Sequence, residues 1–156
     1  TYKRIYTIDH VEICPTPDWI THSKNVLQSK SIVRKGIAFE KSIQERLSNT
    51  FQEKCLHSVW VKYFEDGQEH FAQFDSLLLT TKKVVVIEVK LTYKDSAKKK
   101  LSNLYGPLAQ KLYPKHSVRL VQICKNITER SKKEVKLEMK DILGSTSYYA
   151  VVHEPL

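Results

Sequence analysis

The sequence predicts an α/β domain: a central mixed sheet flanked by helices, with core order helix, three strands, helix, strand (αβββαβ). Three observations carry this. Apolar residues recur at helical spacing over 31–51. The chain from 57 to 93 reads as β-rich runs separated by short polar turns. A second helical stretch over 95–113 is followed by the continuous apolar run SVRLVQICK. A chain of 156 residues with 41% apolar content is long enough for one domain with a packed core. The expected domain spans 1–156, with the core near 32–125, an N-terminal helical extension over 1–31 and a C-terminal strand and helix extension over 126–156.

Each element has its own signal. Pro15 and Pro17 break structure near the start, and a weakly helical pattern runs over 19–29, where Asp18 or Thr16 would cap it. Over 31–51, Ile32, Ile37, Phe39, Ile43, Leu47 and Phe51 recur near helical spacing, with Ser31 as the candidate N-cap. Val59, Val61 and Tyr63 alternate along a strand that meets the turn dipeptide Asp66-Gly67. A second strand over about 69–79 and a third over about 83–92 complete an antiparallel meander. In KDSAKKKLSNLYGPLAQKLYP, Asp95 or Ser96 would cap a helix, Gly106-Pro107 should split it, and Pro114 ends it. SYYAVVHE reads as a last strand, and ERSKKEVKLEMKDIL as a charged helix or an extended edge.

The net charge of +9 favours a polyanionic partner such as nucleic acid. No apolar run approaches the ~18 residues needed to cross a bilayer. The residues at the start carry charge where a secretion signal would be apolar, so an intracellular protein without membrane contact is expected. Cys14, Cys55 and Cys124 form no CxxC pair, and the expected state is reduced thiols. The six histidines show no metal-ligand spacing. Neither a G-x-S-x-G elbow nor a glycine-rich phosphate loop is present.

Three ionisable residues, Asp75, Glu88 and Lys90, interrupt the most strand-like segment, AQFDSLLLTTKKVVVIEVKLTY. Glu88 and Lys90 are two apart and share a strand face. A turn centred between Thr81 and Lys82 pairs Thr80 with Lys83 and sets Asp75 opposite Glu88, with the Cβ atoms ~5 Å apart. Two facing carboxylates repel, and burial raises that cost. A hard divalent cation with oxygen ligands relieves it, and Mg²⁺ is commonly held by one or two carboxylates with substrate phosphate and water. The alternative is a solvent-facing strand carrying a cross-strand Lys–carboxylate pair.

These residues and their setting resemble the PD-(D/E)XK nuclease superfamily. QFDSLLL followed by VVVIEVK matches its acidic strand and E-x-K signature, with Asp75, Glu88 and Lys90 in the motif positions. KGIAFEKSIQERL looks like its upstream helix motif, with Gly36 four residues before Glu40. LYGPLAQKLY is similar to the glutamine–tyrosine helix motif of the exonuclease-like branch, through Gln110 and Tyr113, with Tyr105 as a further candidate. Two departures stand out: Phe74 takes the place of the motif proline, and the glutamine-to-tyrosine gap is short.

The resemblance implies a restriction-endonuclease-like fold and a metal-dependent deoxyribonuclease acting in repair, recombination or phage DNA processing. Its Mg²⁺ or Mn²⁺ would be held by Asp75, Glu88 and the Val89 carbonyl, with support from Glu40. Glu40 has the alternative of pairing with Gln44 or Lys41. Lys90 would position the attacking water. DNA is the implied partner, with RNA as the other polyanion, and a dimer is compatible with the pattern. Gln110, Tyr113, Arg34, Lys35, Lys94, Lys98 and Lys99 are the candidate nucleic-acid contacts, and Lys100 extends the same basic run. Lys132, Lys133 and Lys136 alternate with glutamates and read as a solvated face. A non-catalytic binding module of the same fold is the alternative.

Overall fold

A computed structural model describes residues 3–20, 31–128 and 148–153. The helix expected over 19–29 and the charged stretch from Glu129, with its lysines, lie outside the described residues. Strands β1 (Ile8–Cys14), β2 (Cys55–Glu65), β3 (Gln68–Leu79), β4 (Lys83–Thr92), β5 (Ser117–Asn126) and β6 (Tyr149–His153) form one mixed sheet in chain order. All neighbours are antiparallel except β4 and β5. Helix α1 (Ser31–Phe51) precedes β2. The β4–β5 crossover holds α2 (Asp95–Lys100), a π-helical turn (Leu101–Tyr105) and α3 (Gly106–Leu112). Parallel neighbours require such a crossover, because a tight hairpin cannot reverse the chain twice.

Each sheet face is covered by one helical layer. On α1, Phe39, Ile43 and Leu47 are buried at four-residue spacing and pack on Leu78, Ile87, Val89, Val121 and Ile123. On the other face, Leu101, Tyr105, Leu108 and Ala109 pack on Leu77, Val84, Val86 and Leu120. Each large apolar side chain so buried contributes ~1.5–3 kcal/mol. β4 touches both layers, which explains its nearly unbroken apolar run.

The turns follow their residue chemistry. Asp66 (φ 54°) and Gly67 (φ 73°) both occupy the left-handed region that a two-residue hairpin turn requires. The β3–β4 turn closes through Thr80, whose N–H donates to the Lys83 carbonyl at 2.9 Å. Its hydroxyl accepts from the Lys83 N–H, also at 2.9 Å. The second helical stretch is not split at Gly106-Pro107: it runs on from Asp95 to Leu112, with a π-helical turn ahead of the dipeptide. Pro107 has no N–H to donate and sits in the first turn of α3, directly after the π-helical turn.

The start of the chain corrects one expectation. The N-terminal extension was read as helical, but Ile8–Cys14 is an edge strand paired with β2, preceded by a 3₁₀ turn over Lys3–Tyr6. A register shift between Asp9 and Glu12, with His10 at φ 52°, breaks the apolar alternation that would have marked a strand. Among the described residues, no helix is long and apolar enough to cross a membrane. All three cysteines are free, Cys124 being buried and the other two half-buried.

Candidate active site

The sheet opens at Asp75. The β3–β4 ladder runs from Leu79–Val84 to Ser76–Ile87 and stops one rung short of Asp75 facing Glu88. The β2–β3 ladder also lacks its rung at Asp75, where Ser58 of β2 adopts φ 50°. Beyond this point β3 pairs only with β2, and β4 only with β5. Backbone groups freed by the fork still need partners. Asp75 Oδ2 accepts from the Val89 N–H at 2.8 Å, and the Gln44 amide of α1 donates to the Asp75 carbonyl at 3.1 Å.

Spreading the strands makes a cavity of about 310 Å³ that both Asp75 and Glu88 line, together with Lys100, Tyr105, Leu104 and an aromatic rim. The two carboxylates therefore share one space. Glu88 is 4% exposed. Its Oε1 lies 3.4 Å from the Lys90 ammonium, and its Oε2 is buried with no hydrogen-bond partner among the described residues. An ionised oxygen without a partner in a dry site is costly.

The electrostatics record that cost. Burial, then the neighbouring Asp75, pushes the Glu88 carboxyl well above its ordinary range, against the pull of Lys90 and Lys100. Burial also raises Asp75, against the Val89 N–H and the same two lysines. The pair holds its protons unusually late because desolvation and mutual repulsion outweigh two nearby ammoniums. Burial, with Glu88 and Asp75 close by, raises Tyr105 as well, so its hydroxyl stays protonated.

Asp75, Glu88 and Lys90 converge, and the other candidates lie at varying distances from them. Glu40 sits one helical turn before Gln44, whose amide contacts it at 3.4 Å and also donates to the Asp75 carbonyl, so Gln44 links the two. Among the described residues, no three His, Cys, Asp or Glu side chains form one metal-holding group. Gly36 meets nothing within 4 Å where a Cβ would stand, so helix packing does not require glycine there. Val89 supplies the N–H held by Asp75, while its side chain packs on the α1 face.

The basic candidates are spread more widely. Arg34 and Lys35 are exposed at the start of α1, ten residues before Gln44 and so ~15 Å along the helix axis. Lys94 has its backbone N–H and carbonyl clamped by the Gln122 amide at 2.9 and 3.1 Å. Lys98 approaches His153, whereas Lys99 is simply exposed. Gln110 caps the end of its own helix through the Tyr113 and His116 carbonyls. Tyr113 stacks edge-on against His116, which reaches the Thr80 carbonyl. Both thus sit at the turn end of the hairpin, five residues (~16 Å) along β3 from Asp75.

Sequence reasoning missed the rim. Trp60, Phe71 and Trp19 come together only because β2, β3 and the chain after β1 meet in space. Lys100 enters the cavity with its ammonium 5.3 Å from the Tyr105 ring centroid. The five-residue separation of Lys100 and Tyr105 matches the i→i+5 repeat of the π-helical turn between them, a signal present in the sequence but unreadable without the turn. Comparison of the chain with protein-family models, with curated proteins and with solved structures returned no match in any of the three.

Proposed function

We propose that this chain is a metal-dependent nuclease that hydrolyses phosphodiester bonds, with DNA as its substrate and a restriction-endonuclease-like arrangement of its core. One observation carries the reading: the fork in the sheet brings Asp75 and Glu88 into one cavity beside Lys90, with a buried Glu88 oxygen that no described residue satisfies. The element order α1-β2-β3-β4, helical crossover, β5 supports it.

The donor set fits a hard divalent cation. Asp75 and Glu88 offer carboxylate oxygens, the ligand type that Mg²⁺ and Mn²⁺ prefer. Bound there, the cation would polarise a phosphate oxygen and lower the pKa of a coordinated water. The chain's own residues do the rest. The Val89 N–H fixes the Asp75 carboxylate, so the ligand is oriented before anything binds. Lys90, held against Glu88 and partly open to solvent, presents an ammonium to a phosphate in the cavity and stabilises the charge that builds on phosphorus. The Tyr105 hydroxyl remains a hydrogen-bond donor, and Lys100 adds a second cation at the mouth.

A second reading, a nucleic-acid-binding module without catalysis, is favoured by one observation: among the described residues, no third His, Cys, Asp or Glu joins Asp75 and Glu88 in a metal-holding group. Incubation of the protein with linear, circular and branched DNA, with Mg²⁺ or with EDTA, separates the two. The nuclease reading expects Mg²⁺-dependent cleavage that Asp75→Ala and Lys90→Ala abolish. Absence of cleavage on every substrate, or equal cleavage by both variants, would overturn it.

A further inference from the structure

We propose that the aromatic rim beside Asp75 and Glu88 is a binding site for an unpaired nucleobase, so that the substrate strand enters this cavity single-stranded. The inference rests on the phosphodiester reading for its phosphate side. Its base side stands on separate residues.

The rim is built from Trp19, Trp60 and Phe71. Trp19 meets Trp60 with ring centroids 6.3 Å apart at 74°, and Phe71 at 6.4 Å and 75°. Edge-to-face packing of this kind sets the edge of one ring on the face of the other, so the surface open for stacking is the part of Trp19 that stays exposed. Trp19 is 57% exposed, an unusual position for the largest apolar side chain, while Trp60 beneath it is almost fully buried. The exposed ring thus stands on a rigid base. Gln73 lines the same cavity and supplies an amide that can both donate to and accept from a base edge. Lys100 lines the same cavity as this rim and the carboxylates.

Flat apolar faces, one amide and a cation beside a carboxylate pair match a planar ring with polar edges joined to a phosphate. The cavity volume of about 310 Å³ is at the lower end of the ~300–1,000 Å³ typical of small-ligand clefts. A base stacked in a duplex presents only its edges, so its faces reach Trp19 only when it is unpaired or flipped. Aromatic stacking next to a basic surface is a general way to hold single strands without sequence preference. The chain's net charge of +9 supplies the long-range attraction. An apolar peptide side chain would fill the rim but leave Gln73 and Lys100 unused.

The chain has two tryptophans, and both line this cavity, so intrinsic fluorescence reports on it directly. The full chain is titrated in EDTA with oligo(dT), oligo(U), a hairpin duplex and heparin. The expected result is saturable quenching by the two single strands, with little by the duplex or heparin; the preferred strand identifies DNA or RNA. Anisotropy of a labelled strand then compares variants. Trp19→Ala weakens binding by about tenfold or more, whereas Trp19→Phe largely restores it. Equal quenching by duplex or heparin, no quenching by either single strand, or full affinity in Trp19→Ala would overturn the proposal. Because EDTA removes the metal, quenching without Mg²⁺-dependent cleavage supports the base site and sinks the nuclease reading. Cleavage without quenching does the reverse.

Discussion

Asp75 and Ser76 are consecutive, yet their side chains enter two polar clusters of opposite character on the two faces of the sheet. Ser76, fully buried, meets His57 Nδ1 at 2.8 Å, and His57 Nε2 lies 2.6 Å from the Ser48 hydroxyl of α1. Burial lowers the His57 pKa, so the ring is neutral near pH 7. A neutral imidazole between two hydroxyls satisfies both of its nitrogens, because hydroxyls donate and accept. The cluster is satisfied by its own hydrogen bonds, although Ser48 and His57 also line a cavity of about 460 Å³ on this face. Asp75, one residue earlier, meets Glu88, and that cluster ends in an unsatisfied buried oxygen and two carboxyls whose pKa values burial and repulsion raise. A polar group buried for structure arrives with its partners, whereas one buried for chemistry leaves a place for what it binds.

The largest expected effect lies in the open cluster. Lys90→Ala should lower the DNA cleavage rate in Mg²⁺ by ~10²–10³-fold, the usual cost of removing one preorganised group that stabilises developing charge. Asp75→Ala should lower it at least as far. Single-turnover cleavage assays measure both, and a fall smaller than about tenfold for Lys90→Ala would remove that residue from the chemistry.

Next in size is a pH effect on the metal-free protein. The folded Glu88 pKa, pushed up to about 8 from 4.5, means that the folded state binds its proton more tightly than the unfolded chain does. The resulting stability is fully present below pH 4.5 and is lost as pH rises through about 8. Urea denaturation in EDTA should therefore show lower stability at pH 9 than at pH 6, by about 2–3 kcal/mol, given ~1.4 kcal/mol per pKa unit over the two units between pH 6 and about 8. Glu88→Gln should flatten this slope. An unchanged slope in that variant would place the titrating group elsewhere.

Smaller effects sharpen the contrast from the closed side. Ser48→Ala should cost about 1 kcal/mol of stability, one lost hydrogen bond, with cleavage unchanged. A fall in cleavage comparable to that of Lys90→Ala would join the two clusters into one site. Gly36→Ala should raise stability by ~0.5–1 kcal/mol, read as a higher urea midpoint, because the position is helical and no described residue comes within 4 Å of the added Cβ. Loss of activity in this variant would mean that something other than the described residues approaches α1 there.

Much of the central hairpin was legible because its determinants are local. Polar residues at Thr80–Lys83 fix the turn, and the turn fixes a register that holds as far as Ser76 and Ile87, one rung before Asp75 and Glu88. The helix over 31–51 was equally plain from Phe39, Ile43 and Leu47. What stayed hidden depends on distant contacts or on broken periodicity. The fork at Asp75 requires missing rungs on both sides, and no propensity records a missing rung. β1 lost its alternation to the irregularity at His10. The family resemblance implies Gln110 and Tyr113 as site residues, but they lie at the turn end of the hairpin, where Gln110 caps its own helix and Tyr113 packs on His116. The Trp19–Trp60–Phe71 rim joins three segments with no shared local pattern.

The central claim is that the open cluster holds a divalent cation, and calorimetric titration of the metal-free chain with Mn²⁺ tests it most directly. The account predicts saturable binding by the native chain, accompanied by proton release, and loss of that binding in Glu88→Gln. Identical heats from the native chain and Glu88→Gln, or no heat from either, would contradict it.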